Sequence, residues 1–543
     1  MARFRGNPWA VLIVVSLGFF MTLLDLTIVN IAIPNMIARL HASLDDVLWV
    51  INAYALVLAV LLITAGRLGD IIGQRTMFIV GVLAFTVASA ACGLSPSPAW
   101  LIGFRAAQGL GAAMLMPQTL AILTRVFPPE RRGAAFGVWG AVAGVATIAG
   151  PTLGGLLVTA FDWRYIFFIN VPIGAIVVAL AFALVPGVKL GRRHRLDIPG
   201  VILASLALLG ICYGLVEGQR YHWGTVTSFV SIPLIIGAGV ALLAAFLLVQ
   251  AARQNREPLL PFVLFRNRNF SVTNWVAATL AIAMMGIFLP FTIYLQSVLG
   301  FSALKAGLVM SPASLLSMVV APVAGRLSDR VGGKYFLMSG LVLFAVGMGW
   351  MALIAEPGTA WTRFLPALIV AGAGMGCIFA PMTTVAMRDV KPELAGAASG
   401  VLNTTRQVGA VIGTAAVGAL LQNRLASAMT SQARTRLAVF PPQLRGKLAG
   451  QLQQAGQSGA AVGTGQGGTT KPPPGVPAQL AHRIAEVMQA IFTHGFVAAM
   501  RSTLVMPVAI LLLAALCCLL IRRTPRAPGP AAPEVVTETP ARA

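Results

Sequence analysis

The segment Gly66-Arg-Leu-Gly-Asp-Ile-Ile-Gly-Gln-Arg75 returns later in the chain as Gly325-Arg-Leu-Ser-Asp-Arg-Val-Gly-Gly-Lys334. The two copies share Gly, Arg, Leu, Asp and Gly at the same positions. Each copy follows the second long apolar stretch of its part of the chain, and its glycines permit a tight turn there. The repeat predicts two related halves that fold alike.

The apolar stretches around these segments set the fold class. Hydrophobic residues make up 57% of the 543 positions and charged residues only 10%, more apolar surface than one soluble core can bury. Continuous runs of about twenty apolar residues recur, the length that crosses about 30 Å of hydrocarbon as a helix. We therefore predict an all-α membrane protein with fourteen transmembrane helices. The first eight are expected near residues 10–34, 47–66, 76–94, 99–122, 134–159, 166–186, 198–217 and 228–250, and six more between 271 and 521.

The repeat and the basic loops divide these helices into six, two and six. We expect an N-terminal six-helix half over residues 1–186 and two inserted helices with basic loops over 187–269. A C-terminal six-helix half is expected over 270–526, with a long extracellular loop at 422–495. A mobile cytoplasmic tail is expected over 527–543. Near the end of the long loop, residues at helical spacing predict an amphipathic segment: Leu480, Ile484, Val487 and Ile491.

The charge pattern orients the chain. A net charge of +23 raises the possibility of a nucleic-acid partner, but the basic residues lie between the apolar spans and form no groove-like cluster. Lys and Arg are concentrated in alternate short loops, which identifies those loops as cytoplasmic. We expect a multi-pass protein of the plasma or inner membrane, with both termini in the cytoplasm and no nucleic-acid partner.

Motifs of other function classes are missing from the sequence. It contains no G-x-x-x-x-G-K-[ST] phosphate loop, no G-x-S-x-G and no H-E-x-x-H. The five cysteines lie in apolar stretches without a C-x-x-C pair, so no disulfide framework or metal site is indicated. We expect a protein that is not an enzyme and has no cofactor. Val11 to Pro34 is long enough to span, and we expect it to be a retained helix rather than a signal peptide.

Several motifs resemble those of the major facilitator superfamily, whose hallmark loop is the segment at 66–75. Four further stretches resemble the fourteen-helix drug:proton antiporters of the QacA/EmrB-like family: Leu24-Asp-Leu-Thr-Ile-Val-Asn-Ile-Ala-Ile-Pro34, Arg105-Ala-Ala-Gln-Gly109, Gly150-Pro-Thr-Leu-Gly-Gly155 and Trp163-Arg-Tyr-Ile-Phe-Phe-Ile-Asn-Val-Pro172.

The resemblance implies a major facilitator fold and export of apolar small molecules, as in drug or antibiotic efflux, driven by the proton-motive force. The implied partners are these substrates, protons and membrane lipids, and an adaptor protein is neither indicated nor excluded. The residues assigned to conformational motifs are Gly66, Asp70, Gly73, Arg75, Gly150, Pro151, Gly154, Gly155, Gly325, Asp329, Arg330 and Gly332. By resemblance, Asp70 should face the start of helix 13.

Asp25 is the strongest single indication of a functional site, because a carboxylate at the centre of a spanning helix costs on the order of 2.5 to 3.5 kcal/mol on insertion scales. At 1.5 Å per residue it lies about 13 Å below the outer end of its helix, and Arg105 lies about 9 Å below the outer end of helix 4. These depths allow a contact. Proton coupling by Asp25 and Arg105 is one interpretation, and a permanent ion pair that braces two helices is the other.

Two further features leave alternatives open. Gly150 and Pro151 with their neighbouring glycines either bend helix 5 or serve close helix packing. Arg406 lies mid-membrane in Asn403-Thr-Thr-Arg-Gln407 without an acid on a nearby span. It is either capped by backbone carbonyls or in contact with an anionic part of a substrate or lipid.

Aromatic, amide and methionine side chains within the spans are candidates for a substrate cavity, although such residues more often fill a core. The candidates are Trp49, Asn52, Tyr54, Gln108, Trp275, Met284, Tyr294, Gln296, Met310, Phe379, Met382 and Arg406. Two other functions remain open at this point. One is export of a lipid or an endogenous metabolite, and the other is a membrane binding or signalling protein that does not transport.

Overall fold

A computed structural model of the chain describes residues 7–40, 42, 44–187, 197–218, 220–221, 223–254, 258–440, 445–446, 448 and 478–522. The predicted basic loop after the first six helices falls largely in 188–196, outside these residues. The predicted tail at 527–543 and most of the Gly/Ser/Pro-rich centre of the long loop also lie outside them.

The described chain is almost entirely helical. Its long helices are α1 Pro8–Leu40, α2 Leu44–Ile72, α3 Gln74–Gly93, α4 Pro98–Val126, α5 Arg132–Ala160, α6 Asn170–Leu184, α7 Ile198–Glu217, α8 Ile232–Ala252, α9 Arg268–Ile293, α10 Ala303–Val331, α11 Gly333–Ile354, α12 Leu365–Met387, α13 Ala395–Arg436 and α14 Ala478–Cys517. Thirteen described segments are long and apolar enough to cross a membrane, and with α5 they match the predicted fourteen. A hairpin of β1 Thr225–Thr227 and β2 Val230–Ser231 precedes α8.

The helix boundaries follow from local chemistry. Four helices, α7 to α10, begin after Asp197, Ser231, Asn267 and Ser302, and each of these side chains accepts a hydrogen bond from a backbone N–H of the first turn. The breaks between α2 and α3 and between α10 and α11 fall at the repeated glycines. Gly73 has φ of 110° and Gly332 has φ of 97°, which favours glycine.

Two pairs of helices join the halves. Helix α2 of the first half packs against α13 of the second, and α5 of the first half packs against α10 of the second. The inserted helices α7 and α8 pack on each other, and α7 also contacts α2 and α13. The Trp49 ring lies 5.9 Å from the Tyr213 ring at this contact, so this predicted cavity residue is next to the inserted pair.

The predicted loop at 422–495 needs a correction at its start. Helix α13 continues to Arg436 rather than ending near residue 421, because Leu425, Met429 and Ala433 form an apolar face that is buried against α14. On α14, Ile484 and Ile491 are buried, which confirms the predicted amphipathic segment. The two helices form a paired extension beyond the apolar spans.

Asp197 ties the inserted helix pair together at one end. Its carboxylate accepts hydrogen bonds from Gly200 N at 3.2 Å, Gln250 Nε2 at 2.6 Å and Arg253 Nη1 at 2.9 Å.

We expect Asp197→Ala to lower the unfolding free energy by about 1–3 kcal/mol, because it leaves buried donors without an acceptor. Cys212 is buried in α7, so its reaction with a thiol-reactive fluorophore during heating reports this loss.

The matched control is Glu393→Ala, which removes an exposed carboxylate elsewhere on the protein. Its melting curve should coincide with that of the wild type. Equal melting of the Asp197 variant and the control would contradict the role of Asp197.

Candidate functional site

A buried ion pair lies inside the first half. Asp25 on α1 is 0% exposed and Arg105 on α4 is 1% exposed. Arg105 Nη1 donates to Asp25 Oδ2 at 2.5 Å, so the contact that the depth argument allowed is formed. Two charges removed from water in this way require nearly complete hydrogen bonding to be tolerated.

Neighbouring side chains and a backbone carbonyl supply further hydrogen bonds to the pair. Gln108 Nε2 donates to Asp25 Oδ1 at 2.9 Å, and Asn170 Nδ2 at the start of α6 donates to the same oxygen at 3.4 Å. Arg105 Nε donates to the carbonyl oxygen of Val50 at 3.0 Å. The carboxylate thus accepts three donors, and the contacts of the pair join α1, α2, α4 and α6.

Aromatic rings close the site on two sides. The Arg105 guanidinium lies 4.4 Å from the centre of the Tyr54 ring and 5.7 Å from that of Phe167. Such contacts favour the cation in a low-dielectric environment. Tyr54 and Gln108, predicted as cavity residues, are therefore parts of this charged cluster in the present conformation.

Sequence reasoning missed Asn170 and Ser89 as members of the cluster. Asn170 Nδ2 also donates to Ser89 Oγ at 3.0 Å, and Ser89 Oγ donates to the carbonyl oxygen of Phe167 at 2.9 Å. A signal was present, because Asn170 lies within the quoted stretch 163–172. However, a polar side chain at the start of an apolar helix is equally typical of a residue at the membrane–water interface.

The first copy of the repeated segment bridges the two halves. Asp70, buried at the end of α2, accepts hydrogen bonds from Gly396 N at 3.0 Å and Ala397 N at 2.8 Å. These are the first free amides of α13, where a carboxylate is favoured by the helix dipole. Asp70 thus faces the start of helix 13, as the resemblance implied.

The second copy makes the equivalent contact in the opposite direction. Asp329, at the end of α10, accepts hydrogen bonds from Gly133 N at 2.8 Å and Ala134 N at 3.0 Å, at the start of α5. Each half therefore caps a helix of the other half. We call the contact of Asp70 with the start of α13 the Asp70 latch, and the contact of Asp329 with the start of α5 the Asp329 latch.

Glycines allow the backbones at the latches to meet. A β-carbon at Gly66 would lie 2.5 Å from the carbonyl oxygen of Gly396, and one at Gly325 would overlap the carbonyl oxygen of Gly133. No side chain fits at either position while the latches are closed. The repeat thus encodes both the carboxylate and the space that it needs.

The helix starts that receive the latches form a second internal repeat, which the sequence analysis missed. Residues 129–137 read Pro-Glu-Arg-Arg-Gly-Ala-Ala-Phe-Gly, and residues 392–400 read Pro-Glu-Leu-Ala-Gly-Ala-Ala-Ser-Gly. They share Pro, Glu, Gly, Ala, Ala and Gly at the same spacing. Each begins with a short helical turn, Pro129–Arg131 or Pro392–Leu394, before the long helix.

The basic ends of the repeated segment bind within their own halves. Arg75 Nη2 donates to the carbonyl oxygen of Phe182 near the end of α6, at 2.6 Å. Lys334 Nζ donates to the carbonyl oxygen of Leu519, just after α14, at 2.6 Å. The two contacts are equivalent, while Arg330 is exposed.

The Gly150 to Gly155 motif packs α5 closely against α1. A β-carbon at Gly150 would overlap the Thr27 side chain, and one at Gly154 would lie 2.8 Å from Ile28 Cγ1. Helix α5 continues without a break through Pro151. A β-carbon at Gly155 would be 3.9 Å from Leu304 of the other half. The motif thus packs against α1 at Thr27 and Ile28, which lie two and three residues after Asp25. A role of the motif in the transport cycle stays a prediction.

The cavity candidates do not form one cluster. Tyr294 needs a correction: it is buried, stacks on Phe291 and donates from its hydroxyl to the carbonyl oxygen of Glu356 at 2.8 Å, so it is a core residue. Met382 is also buried, whereas Trp275 is 57% exposed. The candidates with partly exposed side chains are Trp49, Asn52, Met284, Gln296, Met310 and Arg406.

Phe379 and Arg406 are in direct contact. The Arg406 guanidinium carbon lies 5.3 Å from the centre of the Phe379 ring. Phe379 also borders α5, since a β-carbon at Gly140 would be 3.5 Å from Phe379 Cβ. The pair therefore lies where the second half faces the first.

Two helical halves that cap each other, with a buried ionisable pair inside one of them, are an architecture that many membrane transporters share. Residues 15–414 match the family described as the Major Facilitator Superfamily. The chain belongs to this superfamily, which confirms the prediction made from the motifs.

Similar proteins agree with this assignment. The tetracenomycin C resistance and export protein of Streptomyces glaucescens is 37% identical over 78% of this chain and 77% of the relative. The multidrug resistance protein Stp of Mycobacterium tuberculosis is 35% identical over 76% of this chain and 75% of the relative. The human organic anion transporter MFSD10 (TETRAN) has a similar fold, with a TM-score of 0.57 at 13% identity over 93% of this chain and 99% of that structure.

Proposed function

We propose that the protein exports small apolar molecules, including drugs or antibiotics, in exchange for protons. The observation that carries the proposal is the buried Asp25, which accepts hydrogen bonds from Arg105, Gln108 and Asn170. A carboxylate in a membrane span marks an ion or proton pathway by default. The similarity to an antibiotic export protein and to a multidrug resistance protein supports the substrate class.

The chemistry of the cluster explains how a proton can be coupled to movement. Protonation of Asp25 removes the charge that Arg105 neutralises, so the ion pair between α1 and α4 is lost. Arg105 keeps the Gln108 oxygen at 2.7 Å and the Val50 carbonyl as acceptors. The change alters the contacts of α1, the helix against which α5 packs, and α5 carries one of the two latches.

The latches supply the other half of the cycle. With both latches closed, the halves are joined at one end of the bundle, and a substrate site between them is shut at that end. We assign this end to the cytoplasm, because the repeated segments lie in loops of the basic side. Residues 1–186 and 270–526 are then the two moving halves, with 187–269 inserted between them, and both termini lie in the cytoplasm.

Reconstituted transport tests the proposal. Purified protein is placed in liposomes with an acidic lumen, the membrane potential is clamped at zero with potassium and valinomycin, and uptake of a permanently cationic dye such as ethidium is followed. Protons leaving the lumen should drive dye accumulation above that of protein-free liposomes, and a protonophore should abolish it.

Three results would count against parts of the proposal. Equal accumulation with and without a pH gradient would rule out proton coupling. Transport confined to lipids or a cell metabolite would replace the drug-export assignment. Binding without transport of any compound would indicate a membrane binding protein.

A further inference from the structure

Arg406 differs from Arg105 and Arg132, two arginines that are buried among the helices. Arg105 donates to a carboxylate, an amide and a carbonyl, and Arg132 donates to the backbone carbonyls of Thr124 and Phe127 and of two residues at the end of α12. Among the residues that the structure describes, Arg406 forms no hydrogen bond and no ion pair, and its guanidinium makes a cation–π contact with the Phe379 ring. The carbonyl cap considered for this residue is not formed there.

Arg406 lies at the middle of the membrane. It is eleven residues from Ala395 at the start of α13, which corresponds to about 16 Å at 1.5 Å per residue. That depth is about half of a hydrocarbon core of about 30 Å. An unpaired guanidinium at this depth is expensive, and such residues mark substrate or ion pathways.

The surroundings make Arg406 accessible from the space between the halves. Arg406 is partly exposed, as are its neighbours Thr405 and Gln407. Phe379 offers an apolar face beside the guanidinium and also borders α5 of the first half. A planar cation next to an aromatic face suits a molecule that has an anionic group on an apolar body.

Charge balance favours the same class of ligand. Asp25, a fully buried acid, already forms an ion pair with Arg105. Asp70 and Asp329 are bound to helix amides at the latches. The acids inside the described bundle are thus engaged, and the unengaged charge near the midplane is positive.

We propose that Arg406 binds the anionic group, a carboxylate or equivalent oxyanion, of an exported apolar substrate whose body packs against Phe379. This deepens the proposed export function and rests on it. A phospholipid phosphate has the same chemistry, and the experiment distinguishes the two sources.

The test uses a matched pair of probes, a rhodamine with a free carboxylate and its methyl ester. Fluorescence anisotropy gives the Kd of each for the purified full chain in maltoside detergent. Wild type should bind the carboxylate more tightly than the ester. Arg406→Gln should weaken carboxylate binding about tenfold or more, as expected for the loss of a charge-assisted hydrogen bond, and leave the ester within about twofold.

Two control variants separate charge from folding. Arg406→Lys keeps the cation and should restore much of the carboxylate affinity. Arg424→Gln removes an exposed arginine further along the same helix and should change neither Kd. An equal loss for both probes in Arg406→Gln, or no preference of the wild type for the carboxylate, overturns the proposal.

Phosphorus analysis of the same samples addresses the lipid. If wild type retains one phospholipid that Arg406→Gln loses, and both probes bind the two proteins alike, Arg406 holds a lipid and the substrate proposal is overturned. Transport is scored separately. The wild type could bind the carboxylate probe through Arg406 and yet transport neither the carboxylate rhodamine nor its methyl ester under a pH gradient. That result would contradict the export function and support the anion site.

Discussion

Asp25→Asn is expected to reduce pH-driven export to the leak of protein-free liposomes. The amide keeps the size of the side chain but neither titrates nor carries the charge that Arg105 neutralises. Folding should survive, because the amide oxygen still accepts a hydrogen bond from Gln108 or Arg105. Dye binding should also survive, since the cluster is buried inside the first half, away from the contact between Phe379 and Arg406.

Glu356→Gln is the matched control for this variant. It neutralises an exposed carboxylate that lies 3.7 Å from Arg501, and it should transport as the wild type does. Accumulation of dye by Asp25→Asn at the wild-type rate under a pH gradient would show that the proton is carried elsewhere.

Gly325→Val is expected to hold the protein open at the latch end. Its side chain has no space against the Gly133 carbonyl, so the closed state loses about 1–3 kcal/mol. A change of that size lowers the ratio of closed to open protein by about fivefold to 150-fold. Export should fall in proportion, while cysteines introduced between the halves at this end should react faster with thiol reagents.

Gly349→Val provides the comparison, because a β-carbon at Gly349 has no atom within 4 Å. It should leave export and labelling unchanged. Gly66→Val, at the equivalent position of the first copy, should behave like Gly325→Val. If it does not, the two latches are not equivalent in the cycle.

Much of the fold could be predicted from the sequence, because hydrocarbon thickness fixes the length of each span and lone charges stand out within them. Similar depths allowed the contact of Asp25 with Arg105 but did not require it, because depth does not say which helices are neighbours. The partner of Asp70 came only from resemblance. The amides of Gly396 and Ala397 are backbone groups, and no side-chain signal reveals them.

Other features depend on neighbours that a single sequence does not show. Tyr294 has the composition of a cavity residue, but the nearby Glu356 carbonyl and two aromatic rings make it a core residue. The end of α13 was placed too early, because the polar residues Gln422, Asn423 and Arg424 interrupt the apolar run before Leu425 and Met429. Their apolar face becomes evident only when α14 is packed against it.

The long pair α13 and α14 has a practical consequence. Helix α13 has 42 residues and α14 has 40, so each is about 60 Å long, roughly twice the thickness of the hydrocarbon core. Their paired ends must stand clear of the lipid on the face opposite the latches. Small membrane proteins are hard to orient in electron cryomicroscopy because little of them projects from the detergent belt. This rigid projection, present in one half and absent from the other, is a natural fiducial and a defined epitope for a conformation-reporting antibody fragment.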